Sequence, residues 1–164
     1  MKIIALLLAC MLSGLCSSCH LFYTTISPAW EEIELECSSR KRMFDASALA
    51  LSKAGFPLGT GANPAKSTLR TGWSTSGSPF KGRGYRERAH VTYEQAKKGW
   101  FLLRVRVERE INQSFRPLEE QYSKWEASPD SSESARRVIQ FASALLRTSR
   151  ESDEDSVILE TRNT

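Results

Sequence analysis

The chain has 164 residues, 40% of them hydrophobic and 26% charged, with a formal net charge of +4. That is one domain's worth of sequence, long enough to bury a core. No internal repeat is visible, and past the first residues no apolar run is long enough to cross a bilayer, which excludes repeat arrays and multi-span membrane proteins.

The chain opens MKIIALLLACMLSGLCSSCH. Lys2 is a minimal positive start, and Ile3 to Leu15 is an apolar run of about 13 residues. That suits a signal-peptide core, and it is short of the roughly 20 residues a spanning helix needs. Ser13 and Gly14 break the run. Cys16, Ser17 and Ser18 put small residues at the positions that favour a cut after Ser18. Cys19 then becomes the mature N-terminus and the expected lipidation site, giving an exported protein anchored in the cell envelope. The alternative is a released periplasmic or secreted protein, in which Cys19 and Cys37 are free to pair in an oxidising compartment. With Cys19 acylated, Cys37 is a lone thiol. Neither cysteine has ligand spacing to a histidine or another cysteine, so no metal and no cofactor is expected.

Residues 19–28 read as a tether, 29–149 as a single α+β domain and 150–164 as a disordered acidic tail, because that last stretch is polar and lacks aromatics. Within the domain, EIELEC alternates, with Ile33, Leu35 and Cys37 on one face, which predicts a half-buried strand. Ser38 or Ser39 then caps a helix carrying Met43, Phe44, Ala48, Leu51 and Ala54, and Gly55 with Pro57 closes it. A loop leads to a second strand in which Leu69, Thr71 and Trp73 alternate with Thr68 and Arg70. STSGSPFKGRG reads as a turn-rich break, with Gly82 and Gly84 at a bulge or turn rather than a phosphate cradle. Two long alternating runs, Tyr85 to Tyr93 and Phe101 to Ile111, predict an antiparallel hairpin. RPLEEQYSKW reads as loop plus a helical turn presenting Leu118, Tyr122 and Trp125. A last helix follows, capped by Asp130 with Glu133 and striped by Ala135, Val138, Ile139, Ala142, Leu145 and Leu146. The expected architecture is a two-layer α+β sandwich, β-α-β-β-β-α, with about four mostly antiparallel strands and both helices on one face.

Arg86, Arg88, Arg104 and Arg106 fall on the wet face of the hairpin, near Lys81, Arg83, Lys97 and Lys98. Such a face suits an anionic lipid or polymer surface or an envelope protein. The plainer reading is a solvated sheet face, neutralised in part by Glu94, Glu108 and Glu110. A loop of about five residues from Gln95 to Gly99 sets Arg88 opposite Arg106, His90 opposite Arg104 and Arg86 opposite Glu108. The first two pairings set basic groups against each other, a hint of an anionic partner.

No catalytic residues are assigned. Cys37 and His90 are placed on opposite faces, and Glu108 and Glu110 are the carboxylates an enzyme acting on envelope polymer or lipid would have to use. Trp73, Trp100 and Trp125 read mainly as packing residues. Trp100 is the single stacking position on the arginine face, and nucleic acid is not an expected partner of an exported chain.

LCSSC resembles a relaxed bacterial lipoprotein box, departing from it at Cys16, where leucine is usual. Together with AGF, TGW, SPFKGRGYRERAHVTYE, RVRVERE and RPLEEQYSKWE, it resembles a group of uncharacterised exported lipoproteins of the planctomycete type, over Glu31 to Arg147. The resemblance implies a location and a fold, and no activity. The layout is also similar to that of small lipoproteins serving outer-membrane assembly, a likeness of architecture alone.

Overall fold

The computed structural model describes residues 27–59, 61–76, 84–114 and 123–162, with side chains as far as residue 149. Cys19, the leader, Lys81, Arg83, Leu118 and Tyr122 lie outside the described residues. The fold is an α+β sandwich. Six antiparallel strands, β1 (Glu31–Glu36), β2 (Thr68–Arg70), β3 (Ser74–Ser76), β4 (Tyr85–Lys97), β5 (Trp100–Asn112) and β6 (Trp125–Ser128), form one sheet. Helices α1 (Arg40–Lys53) and α2 (Ser132–Arg162) pack on one side of it.

The strand count exceeds the expected four for a simple reason. The β4–β5 hairpin is long, and each of its outer edges is covered by two short strands laid end to end. β2 pairs with Thr92 to His90 of β4 and β3 with Glu87 to Tyr85. On the other side, β1 pairs with Trp100 to Val105 of β5 and β6 with Arg109 to Asn112. The sheet is thus at most four strands wide at any level. β3 and β6 have three and four residues, too few for alternation to declare itself. Trp125 accordingly sits on a strand instead of the expected helical turn.

The hairpin register also differs from expectation. The turn is Lys98–Gly99, with Gly99 at φ 77°, and Ala96 is an extra residue between the pairs Gln95–Phe101 and Lys97–Trp100. This bulged tight turn replaces the expected five-residue loop and slides the pairing by two positions. Arg88 therefore faces Glu108, Arg86 faces Glu110, His90 faces Arg106 and Thr92 faces Arg104. A shift of two keeps every side chain on its expected face while changing its partner.

Ser39 caps α1, its hydroxyl accepting from the Arg42 N–H. At the other end Gly55, at φ 86°, donates to the Ser52 carbonyl and Phe56 to that of Leu51, a closed C-terminal turn with Phe56 buried behind it. The cap of α2 is Ser131 rather than Asp130: its hydroxyl accepts from the Ser134 N–H and its carbonyl from that of Ala135. The helix runs on through the acidic segment to Arg162. Between the layers lies one core. Leu69, Ala89, Val91, Tyr93, Phe101, Leu103, Val105 and Val107 of the sheet meet Met43, Ala50 and Leu51 of α1 and Ala135, Val138, Ala142 and Leu146 of α2.

Candidate functional site

Inward residues of β4 and β5 from Ala89 to Tyr93 and from Phe101 to Val107 are mostly apolar and buried, so strand alternation sends Arg86, Arg88, Arg104 and Arg106 together to the face away from the helices. All four share that face, as the sequence implied. None stands opposite another arginine.

Each guanidinium is matched by a carboxylate. Arg86 donates to Glu110 Oε2 at 2.7 Å and Arg88 to Glu108 Oε2 at 2.9 Å, across adjacent strands. Arg104 reaches Glu32 of β1 at 2.9 Å and Glu94 of β4 at 3.0 Å. Arg106 donates from Nε to Asp130 Oδ2 at 2.7 Å and lies 3.5 Å from Glu108. The side chains of Arg86, Arg88 and Arg106 are each 22% exposed, and that of Asp130 is 3% exposed. The layer is flat and closely packed, its members leaning on one another instead of standing out into water.

Two tryptophans complete it. Trp73 leaves the end of β2 and lies under both Arg86 and Arg88, whose guanidinium carbons sit 4.4 Å from the ring centroid. Trp125 of β6 also meets Arg86, its ring centroid 4.6 Å from the guanidinium carbon. Arg86 is therefore in cation–π contact with two indoles. The expected pattern gave Trp73 to the inner face with Leu69 and Thr71. β2 stops at Arg70, however, and Thr71 turns aside to bridge Leu58 before Gly72. At the far end of the hairpin Lys97 Nζ lies 4.5 Å from the centroid of Trp100, the stacking position that was expected.

Glu108 is the hub. Burial pushes its carboxyl up, but Arg88 and His90 together outweigh that and hold it below the ordinary value. His90 Nε2 lies 3.1 Å from Glu108 Oε2, an ion pair when the imidazole is protonated. Burial holds the imidazole below its usual range, against the opposing pull of Glu108. Cys37, buried in the core, lies across the sheet from His90 and donates to the Ser39 carbonyl.

Sequence reasoning missed one polar group altogether. Glu87 shares the inward face with Ala89 and Val91, and it is buried. It accepts from Arg109 Nε at 2.8 Å and from the Ser134 hydroxyl at 3.0 Å, while Arg109 also donates to Ser131. This cluster fastens the first turn of α2 to the hairpin. Its parity within YRERAHV was the available signal. Among the described residues no group of His, Cys, Asp or Glu side chains could hold a metal ion, and no helix is long and apolar enough to cross a membrane. No protein-family model matches the chain, and no curated protein is similar to it.

Proposed function

We propose that the chain is an exported, envelope-anchored binding or assembly module, acylated at Cys19, whose folded domain acts by contact rather than by catalysis. The observation that carries the anchoring is the leader itself: Lys2, the apolar run, the small residues before Cys19, and Cys19. Two or more acyl chains on one cysteine hold a protein stably to a membrane, where a single chain does so only marginally.

Support for contact over catalysis comes from the commitments of the polar face. Glu108 and Glu110, the carboxylates the enzyme reading would need, are tied to Arg88 and Arg86. A carboxyl held below its ordinary value, as Glu108 is, suits neither a general acid nor a strong general base near neutral pH. A simple polyanion meeting this face would have to displace Glu108, Glu110 and Asp130 from the arginines. The partner that fits better is an envelope protein whose surface complements alternating charges bordered by Trp73 and Trp125.

Metabolic labelling with a fatty-acid probe tests the anchor: wild type should be marked and Cys19→Ser should not. Equal labelling of both ends the lipoprotein reading. In-cell crosslinking from the Trp73–Arg86 region should then recover a defined envelope protein, whereas turnover of envelope polymer or lipid that depends on Glu108 would establish the enzyme.

A further inference from the structure

Two cavities, of about 340 and 470 Å³, open around the start of α1, and Arg40 and Tyr93 line both. The smaller is polar, with Lys66, Ser67 and Thr92 in its wall. The larger is apolar, formed by Phe44, Pro64 and Ala65.

Charge is unusual here. The first turn of α1 carries Arg40, Lys41 and Arg42 and no acidic residue, although a helix N-terminus favours negative charge. Lys41 is answered by Asp45 at 2.7 Å. Arg40 is not: it donates to the neutral Ser67 hydroxyl at 3.0 Å, and no carboxylate among the described residues pairs with it or with Lys66. Ser67 holds its position at φ 55°, a left-handed conformation that non-glycine residues adopt at a cost.

A second, independent feature points to a ligand. Tyr93 is 4% exposed, and its buried hydroxyl has no hydrogen-bond partner. Buried tyrosine hydroxyls are ordinarily satisfied, because an unpaired one loses its hydration without compensation. Burial pushes the Tyr93 hydroxyl up, while the neighbouring Ser67 hydroxyl and the Arg40 charge pull the other way.

We propose that these neighbouring cavities, which share Arg40 and Tyr93, together bind a small amphipathic anion, its carboxylate or phosphate head held by Arg40, Lys66 and the Tyr93 hydroxyl and its acyl or aryl tail lying against Phe44, Pro64 and Ala65. The head supplies the counter-charge that the first turn of α1 lacks and the acceptor that Tyr93 lacks. The tail covers the apolar cavity. The polar cavity borders the guanidinium face, since Arg104 and its partner Glu94 also line it, and binding there does not depend on the anchoring reading.

The test is calorimetric titration of the full chain with octyl phosphate, inorganic phosphate and octanol. Octyl phosphate should bind at least about tenfold more tightly than either fragment, the worth of one charge-assisted contact. Arg40→Gln should remove that advantage while leaving octanol binding unchanged. Tyr93→Phe keeps the ring that packs edge-on against Phe101, so it should melt no lower than wild type and still bind octyl phosphate several-fold more weakly. That combination of preserved stability and lost affinity separates a binding role from a structural one. Either fragment matching octyl phosphate, or both variants binding it as wild type does, overturns the proposal. Vesicles containing phosphatidylglycerol identify the source of the anion. Binding weakened by Arg40→Gln points to bilayer head groups, and binding indifferent to it, with octyl phosphate still discriminated, points to a free amphiphile.

Discussion

Arg106 and Asp130 meet at the break between β1 and β6, where β5 has no strand partner on that side. Asp130 Oδ2 accepts Arg106 Nε at 2.7 Å and the Ala29 N–H at 2.8 Å, while the Ser131 N–H donates to the Val107 carbonyl. One nearly buried carboxylate therefore closes a gap in the sheet edge and joins the chain before β1 to the chain before α2. Asp130→Ala should lower the unfolding free energy by about 3 kcal/mol, the lower end for breaking a buried pair because Arg106 keeps some contact with water. Chemical denaturation measures it, and a loss within experimental error of zero would show the closure to be incidental.

The charged face should make stability fall on acidification in two stages. Folded His90 has a pKa below its ordinary 6.5, so it binds a proton less readily than it does in the unfolded chain. Its contribution is complete above about pH 6.5 and is lost as the pH falls through that value toward the folded one. Glu108, drawn below 4.5, contributes above that value and loses its contribution as the pH falls through its lower folded pKa. Thermal melts across pH 7 to 3 should show both stages, and His90→Gln should flatten the first. A variant with the same slope as wild type between about pH 7 and 5.5 would assign that stage to other groups.

Arg88→Gln bears on the worth of the stacked layer. It removes the hydrogen bonds to Glu108 and the contact with Trp73, so a loss of about 1–2 kcal/mol is expected. Tryptophan emission should shift as Trp73 loses its cover. Unchanged or higher stability would mean that the guanidinium layer is ornament on a fold held by its core.

Ser131→Ala should cost about 1 kcal/mol or somewhat more, since the hydroxyl caps α2 and also receives Arg109. Asp130 and Ser131 sit side by side with separate tasks, so the two losses should be distinguishable. Glu133→Ala, by contrast, should be nearly silent, because Glu133 has only the exposed Arg137 as partner.

Long periodic segments were legible in the sequence, and short ones were not. Alternation over the 13 residues each of β4 and β5 and the stripe of α2 fixed the two layers and the faces of all four arginines. β3 and β6, three and four residues long, gave no period to detect. Partner choice failed at the turn: the tight Lys98–Gly99 connection and the extra Ala96 together moved the register by two places and turned the expected opposition of Arg88 and Arg106 into a bonded pair of Arg88 with Glu108. Trp73 escaped because its face depends on where β2 stops, which hydrophobic patterning does not encode. Glu87 was readable by parity, but a carboxylate among core positions makes sense only once Arg109 and Ser134 are seen beside it.

The interrupted outer edges have a consequence for how copies of this protein meet. A continuous bare strand edge is a template on which a second chain can add a strand and start a stack. Here β4 and β5 are screened by β2, β3 and β6, of three or four residues, and by the six-residue β1, whose exposed positions are Glu32, Glu34 and Glu36, and the seam on the β5 side is plugged by a side chain. Past β2 the remaining stretch of β4, Glu94 to Lys97, carries charge at both ends and the bulge at Ala96. The bulge at Ala96 thus also bends this open length of edge, leaving it a poor surface for fibrous self-association.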